Sequence, residues 1–310
     1  MDRRVNAVVL NYNHSADTLR CAEELRASIG IEVDVLVVDC ASAPSDQQKL
    51  AHSVPVDHLL LLPSNVGYAG GMNAGIRFWY DRFPDAPIML VTPDARVEPS
   101  VAQLLWQALA SNHTAGAAGP VIIYREAPKE KIGAGGEITP GRLTLHNEVR
   151  GAEPYDVGWI EGCCVMLRPA ALQAIGGLYE DYFLYFEDAD LCLQLKRAGW
   201  RVLLVPGAYV RHLKPVGQQP PHYYYYNARN SYRFWSRNFR IPARRTVLRV
   251  AADTLWLSAI ALACVFLPGR WRELPGRWRD ARLALKGSWS GTRDHFSGRY
   301  GPRETKTPRA

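Results

Sequence analysis

Apolar residues come in short solid runs over the first two thirds of the chain, with amphipathic stretches between them. Residues 5–10 form the first run and end in Asn11-Tyr12-Asn13. A solid apolar run of that length predicts a buried strand that delivers polar residues at its carboxyl end. Residues 15–28 predict a helix, with Ser15 as its cap and Gly30 as its stop. A second strand at 33–38 ends in Asp39-Cys40-Ala41-Ser42; a short helix and a third strand at 56–62 follow. Strand 88–91 ends in Thr92-Pro93-Asp94-Ala95, and helix 100–111 turns Leu104, Leu105 and Leu109 inward. Residues 125–157 carry Gly133, Gly135, Gly136, Pro140 and Gly141, and predict a loop or hairpin insertion on the substrate side. Residues 158–167 return as a strand with Glu161-Gly162 in its middle. Pro169 starts a short helix that ends at Gly176-Gly177. One more short strand, 202–205, is expected, with His212 just past it. This alternation predicts an α/β fold, a mostly parallel sheet flanked by helices with right-handed crossovers. Ligands bind such sheets at the carboxyl ends of the strands, where Asn11, Tyr12 and Asp39 all stand.

Two stretches break the pattern. The run from Asn65 through Gly75, NVGYAGGMNAG, is glycine-rich and opens a helix. Glycines let backbone amides approach a ligand, and a helix start favours anions. The stretch is neither GxGxxG nor a P-loop, so a nicotinamide or ATPase site is not indicated, and a tight turn is the plainer reading. The second stretch is Leu184-Tyr185-Phe186-Glu187-Asp188-Ala189-Asp190. Here an apolar segment runs into three carboxylates, and Leu191, Leu195 and Ala198 follow at helical spacing. Acids suit the first turn of any helix. The sharper reading makes Asp188 a general base, ionised at a helix start and able to take a proton from a hydroxyl. Asp94 and His212 both follow strand ends, and a carboxylate and an imidazole can share a divalent cation with a diphosphate.

The length of 310 residues, 47% hydrophobic, suffices for one large domain and an appendage. Charge separates the two. Residues 240–310 hold 15 Lys and Arg against 5 Asp and Glu, a net of +10; the chain total of +7 leaves −3 for residues 1–239. A basic C-terminal part seeks phosphates, in anionic lipid or in nucleic acid. The six cysteines form no CxxC pair, so neither a zinc site nor a disulfide framework is indicated, and a reducing cytosol is the simplest compartment. Met1-Asp2-Arg3-Arg4 leads straight into a strand without a signal-peptide pattern. The longest apolar run, 255–267, falls short of the roughly 20 residues that span a bilayer.

The chain resembles the inverting glycosyltransferases of family 2, most closely the bacterial rhamnosyltransferase-like branch. The resemblance rests on an ordered set: Val9-Leu10-Asn11-Tyr12-Asn13, Val38-Asp39-Cys40-Ala41-Ser42, Asn65 through Gly75, Thr92-Pro93-Asp94, and Gly176 through Asp190. It runs from about Val5 to His212, with a weaker match through Asn230. It implies a GT-A fold, a nucleotide-sugar donor and Mg²⁺ or Mn²⁺. Carried over, Leu10, Tyr12 and Asp39 match positions at the nucleoside, and Asn65, Gly67 and Asn73 belong to the loop around the nucleotide. Asp94 matches the metal-binding acid, His212 a histidine that joins the metal, and Asp188 the catalytic base. Rhamnose from dTDP-rhamnose is the first donor implied. The acceptor implied is a hydroxyl of a glycan or a polyprenyl-diphosphate-linked glycan in cell-envelope polysaccharide synthesis.

Beyond His212 lies His222-Tyr223-Tyr224-Tyr225-Tyr226-Asn227-Ala228-Arg229-Asn230. Arg229 holds a donor or acceptor phosphate on one reading, and the tyrosines merely pack on the other. The expected division is a catalytic GT-A domain at 1–221, a basic helical membrane-associating region at 222–290 and a disordered tail at 291–310. Arg240, Arg244, Arg245 and Arg249 precede the 255–267 segment, and arginines with Trp271 and Trp278 follow it. This pattern predicts a helix lying on the anionic inner face of the cell membrane, or else packing on the catalytic domain or a second subunit. No nucleic-acid motif is present. The competing readings are a glycosyltransferase fold that binds without catalysing, and a sugar nucleotidyltransferase. The latter would want a Gly- and Arg/Lys-rich loop where Asn11-Tyr12-Asn13-His14 stands.

Overall fold

The β-branched runs of the first half assemble side by side because each is apolar on both faces and needs cover from both. The computed structural model describes residues 3–124, 131–212, 220–239, 248, 251, 252, 255 and 274–302. The strands are β1 (Arg4–Asn11), β2 (Glu32–Asp39), β3 (Leu59–Leu61), β4 (Ile88–Val91), β5 (Ala95–Val97), β6 (Ala115–Tyr124), β7 (Lys131–Gly133), β8 (Gly136–Thr139), β9 (Arg142–Leu145), β10 (Tyr155–Asp156), β11 (Cys164–Leu167) and β12 (Arg201–His212). The helices are α1 (Ser15–Arg26), α2 (Pro44–Ser53), α3 (Gly67–Tyr80), α4 (Val101–Ser111), α5 (Pro169–Ile175), α6 (Glu187–Arg197), α7 (Pro221–Phe239) and α8 (Leu274–Phe296).

The main sheet runs in the order β3-β2-β1-β4-β11-β6-β12-β10, with β5 added on β12 and β7 on β6. The half containing β1 to β4 is parallel, and β11 lies antiparallel between β4 and β6. Val5, Ala7 and Val9 point to one side, where α1 and α4 close over them with Leu25, Leu105 and Leu109. On the other side α3 comes close enough that a Cβ on Gly71 would overlap Leu10, and one on Gly75 would lie 2.5 Å from Val8. Glycine at both positions is what lets this helix lie flat on β1.

Four sequence expectations change. The strand at 158–167 shrinks to β11, so Glu161 and Gly162 lie in the loop that leads into it. The strand at 202–205 grows to twelve residues and His212 is its last residue, not a residue beyond it. Strand β6, 115–124, was not foreseen. Its Pro120 has no N–H to donate and stands opposite Val205, where β12 shifts register before Tyr209. Ala198 is exposed, and Cys192 takes its place beside Leu191 and Leu195 on the buried side of α6.

The chain divides into two compact units. The first holds Met1–Ile138, Leu143–Phe183 and Glu187–Pro215; the second holds Thr139–Arg142, Leu184–Phe186 and Val216–Ala310. In the second unit α7 and α8 pack through a glycine notch. A Cβ on Gly291 would overlap Tyr225 O, and one on Gly287 would lie 2.7 Å from Tyr224 Cβ. The expected 255–267 helix lies outside the described residues apart from Leu255. Helix α8 continues to Phe296, into the stretch expected as a tail. Among the described residues no helix is long and apolar enough to cross a membrane.

Candidate active site

The carboxyl ends of β1 and β2 meet in a closed polar network. Asn11 and Asp39 are partners in the sheet register, and both are fully buried. Asn11 Nδ2 lies 2.7 Å from Asp39 Oδ1, 2.9 Å from Asp46 Oδ2 and 3.0 Å from Ser42 Oγ, while its Oδ1 accepts from the Thr18 hydroxyl at 2.7 Å. Asp46 accepts from the backbone N–H and hydroxyl of Ser15 at 3.1 and 2.6 Å. Ser15 therefore does not cap α1 as expected: its hydroxyl ties α1 to α2, and α1 starts at His14 without a side-chain cap. Burial acts to raise the Asp46 carboxyl, but hydrogen bonds from Ser15 and Asn11 outweigh it and hold it below its ordinary value. Asn13 and Ala41 on either side adopt left-handed backbone, φ 59 and 55. Non-glycine residues keep such strain only where their surroundings fix it, and it gathers at functional sites. Here the Ser42 hydroxyl accepts from Asn13 N, and Asn13 Oδ1 accepts from Ala43 N, both at 2.8 Å. Tyr12 is left 48% exposed between them.

The glycine-rich stretch is the start of α3. Asn65 Oδ1 accepts from Gly67 N at 2.9 Å, and Gly67 stands at φ +75, where a Cβ would also overlap Phe183 O, so only glycine fits. Tyr68 N donates to that carbonyl at 2.7 Å. Leu10 packs beneath α3, against Gly71. Asn73 is 6% exposed and clamps a turn: Nδ2 donates to Leu178 O and to Glu180 Oε1, each at 2.8 Å, and Oδ1 accepts from Leu178 N at 2.9 Å.

Asp188 sits in the first turn of α6. Its Oδ2 accepts from Gly162 N at 3.1 Å and its Oδ1 from Ala189 N at 2.7 Å. Gly162 is in turn held by the Tyr68 hydroxyl, which donates to its carbonyl. A Cβ on Gly162 would come within 3.1 Å of Asp188 Cβ. Sequence reading had noticed Gly162 without giving it a role; a glycine inside an apolar run was the available sign of close approach. Tyr68 and Gly162 are the two neighbours of Asp188 whose part no sequence spacing marks.

Asp94 Oδ2 lies 3.0 Å from Nε2 of His212, whose ring is tilted 51° to that of Tyr124 at a centroid distance of 6.0 Å. Strand β12 brings His212 opposite both Tyr124 and Ala95, which is why residues 118 apart in sequence meet. Burial acts to raise the Asp94 carboxyl, but the His212 hydrogen bond and charge prevail and bring it down to about 2. The Tyr124 hydroxyl donates to Glu161. Burial first, then the charges of Glu161, Asp94 and Asp188, push the Cys163 thiol well above its ordinary value. The 161–163 segment links the three acids: Glu161 accepts from Tyr124, which pairs with His212; Gly162 N donates to Asp188; and Cys163 O accepts at 3.0 Å from Thr92 N, two residues before Asp94.

Among the described residues no three His, Cys, Asp or Glu side chains are placed to hold one ion. Asp94 and His212 are two donors of the right chemistry, and the His212 Nδ1 is buried without a hydrogen-bond partner among the described residues. A pair of this kind suits a cation that keeps water and shares itself with phosphate oxygens, rather than an all-protein cage. Arg229 belongs to the second unit. It is 1% exposed, donates to Asn230 Oδ1 at 2.9 Å and Gly301 O at 2.7 Å, and lies 4.9 Å from the Tyr226 ring centroid.

A family model described as "Glycosyltransferase like family 2" matches residues 156–232, the span that contains Gly162, Asp188 and His212. Over that span the chain is similar to the glycosyltransferases of family 2, and its relatives support a glycosyltransferase. The transferase is 28% identical over 269 residues to the N-acetylglucosaminyl-diphospho-decaprenol L-rhamnosyltransferase of Mycobacterium tuberculosis strain H37Rv, across 77% of this chain and 88% of that one. It superposes on the mannosyltransferase PcManGT from Pyrobaculum calidifontis, solved in complex with GDP-Man and Mn²⁺, with a TM-score of 0.52 and 15% identity over 92% of this chain and 87% of that one. GalNAc-T7, solved with UDP, GalNAc and Mn²⁺, superposes with a TM-score of 0.58 and 13% identity over 77% of this chain, which spans about half of that one, 51%. The transferase thus has the GT-A fold, and a sugar nucleotidyltransferase is set aside.

Proposed function

We propose that the transferase moves a sugar, with inversion, from a nucleoside diphosphate to a hydroxyl of a glycan or polyprenyl-diphosphate-linked acceptor. The observation that carries this reading is that the 161–163 segment joins three acids: Tyr124 donates to Glu161, Gly162 N donates to Asp188, and Cys163 O accepts from Thr92 N, two residues before the Asp94 that meets His212. Asp188 takes the proton of the attacking hydroxyl. Gly162 N and Ala189 N hold its oxygens, so the carboxylate is oriented before the acceptor arrives. Attack and departure occur in one displacement, which inverts the anomeric carbon. Asp39 and Tyr12 receive the nucleoside, and the Asn65–Gly67 turn with Asn73 behind it shapes the wall beside it. Asp94 and His212 would hold Mg²⁺ or Mn²⁺. Such an ion, when bound, offsets the charge that develops on the departing diphosphate.

Rhamnose carried on dTDP is the first donor to test, because the mycobacterial relative's name carries rhamnose. The same name carries a decaprenol acceptor, which favours work at a membrane surface. Leu248, Leu255, Trp289 and Phe296 are each at least 60% exposed, and all lie in the arginine-rich C-terminal part. Apolar side chains among arginines are what an anionic leaflet takes up. Arg229, buried in the second unit, acts on phosphate in this reading only through the shape it gives α7.

The test is transfer by the purified full chain with a panel of nucleotide sugars. EDTA should abolish turnover, and Mg²⁺ or Mn²⁺ should restore it. Asp188→Asn should keep donor binding and lose roughly 10²–10⁴ in turnover. Asp94→Ala should be nearly inactive, and His212→Ala less affected because water replaces one neutral ligand more readily. Wild-type turnover by Asp188→Asn, or full activity of Asp94→Ala in chelator, would show the site to be wrongly assigned.

A further inference from the structure

Asp39 already has every acceptor position filled. Its Oδ1 accepts from Asn11 Nδ2 at 2.7 Å and from the Ser42 hydroxyl; its Oδ2 accepts from Ser42 N at 3.0 Å and from Gln47 Nε2 at 2.8 Å. A carboxylate offers about four such positions, so nothing is left for a further donor. Three of the four are fixed. Asn11 is fully buried, Ser42 is 7% exposed, and one donor is backbone. Gln47 differs. It reaches in from α2, a helix whose one buried residue is Leu50, and its side chain is half-buried. Its amide is the one cover of Asp39 that can swing into water without disturbing the sheet.

We propose that Gln47 occupies the nucleobase's place on Asp39, so that donor binding is an exchange: the ring N–H of the base displaces the Gln47 amide. The inference rests on the reading of Asp39 as the residue that receives the nucleoside, and it narrows the donor. The base must present a ring N–H to a carboxylate, as thymine and uracil do. A base without one leaves Gln47 in place. The exchange trades one charge-assisted hydrogen bond for another, so the base gains selectivity at this position rather than affinity. Gln47 therefore acts as a competitor within the protein, and raises the apparent Kd by the reciprocal of the fraction of time that it leaves Asp39 free.

Titration calorimetry with dTDP, UDP and N3-methyl-UDP, on wild type and Gln47→Ala, tests this. Gln47 is half-buried, and the substitution removes its hydrogen bond to Asp39 while leaving Leu50, the buried residue of α2, in place. The expected result is that Gln47→Ala binds dTDP and UDP about three- to tenfold more tightly, the range of one modest hydrogen bond. N3-methyl-UDP, which has no ring N–H, should gain nothing. Unchanged or weaker binding of dTDP and UDP by Gln47→Ala overturns the exchange and leaves the Asp39 reading standing. An equal gain for N3-methyl-UDP overturns it too, since the effect would then not pass through the ring N–H. Wild type binding N3-methyl-UDP as tightly as UDP would mean that Asp39 never meets the base, and both readings fail.

Discussion

Gly162 does two jobs that no other residue type can combine: its N–H orients Asp188, and its missing side chain leaves room for that carboxylate. An added methyl would press on Asp188 Cβ from 3.1 Å, tighter than ordinary contact. Gly162→Ala should therefore lower kcat by roughly three- to tenfold, since Asp188 must give by a few tenths of an ångström and a misplacement of about 1 Å costs about 10² in well-aligned sites. The dTDP and UDP affinities should stay within a factor of about three; calorimetry beside steady-state kinetics separates the two effects. Glu187 next door behaves differently. It is 6% exposed, its Oε2 has no hydrogen-bond partner among the described residues, and burial, then the charge of Asp188, push it well above its ordinary value of 4.5. The unfolded chain releases this proton near 4.5, and the folded chain keeps it to higher pH. Between the two values the folded state binds more protons, so stability falls as pH rises. Glu187→Gln should remove that slope, which urea unfolding between about pH 5 and pH 8 would register; a wild-type slope retained in the variant would show that Glu187 is not its source.

The elements legible in the sequence were those whose apolar pattern is uninterrupted. Strands β1, β2 and β4 and helices α1, α4 and α6 appear within a few residues of expectation because each is a solid run or a clean helical stripe. Strand β6 escaped because it opens on Ala115-Gly116-Ala117-Ala118-Gly119-Pro120, small residues whose strand role comes from being enclosed by β11 and β12. Strand β12 was cut short at Pro206-Gly207, which reads as a terminator but is a local shift of register. The site followed the same rule. Asp94, Asp188, Asp39 and His212 stand out in the sequence at strand ends or a helix start, whereas Tyr68, Gly162 and Gln47 make contacts between residues far apart, which no spacing records. Helix α8 shows the limit again. Gly287 and Gly291 look like helix-weakening residues, yet they let its backbone approach α7. Gly291→Leu should overpack that notch and lower the unfolding free energy by about 1–3 kcal/mol, measurable by urea unfolding; an unchanged midpoint would mean that the helices do not meet there.

At the scale of the whole chain, charge and chemistry are divided. Residues 1–239 carry −3 and the proposed reaction centre, and residues 240–310 carry +10. Full-length protein should float with vesicles containing anionic lipid and release partly at high salt, because each Arg near such a surface contributes roughly 1 kcal/mol that salt screens. Protein ending at Arg240 should not float; equal binding of both forms to neutral vesicles would remove the electrostatic part of the reading. The reaction centre also depends on how the sheet tolerates a change in its length. Strand β12 runs beside β6 in two main registers, Val202–Val205 before the shift and Tyr209–His212 after it, with Pro206, Gly207 and Ala208 standing outside the pairing; Arg201 is set off by a further shift. Gly207 is exposed, at φ +83, with open space around it. Loss of one codon there shortens a loop-like excursion and leaves both registers intact. Loss of one codon among 209–212 slides His212 about 3.3 Å along the strand and turns it to the opposite face, away from Asp94. Two deletions of equal size, a few codons apart, thus have opposite fates, because only Pro206, Gly207 and Ala208 lie outside this pairing.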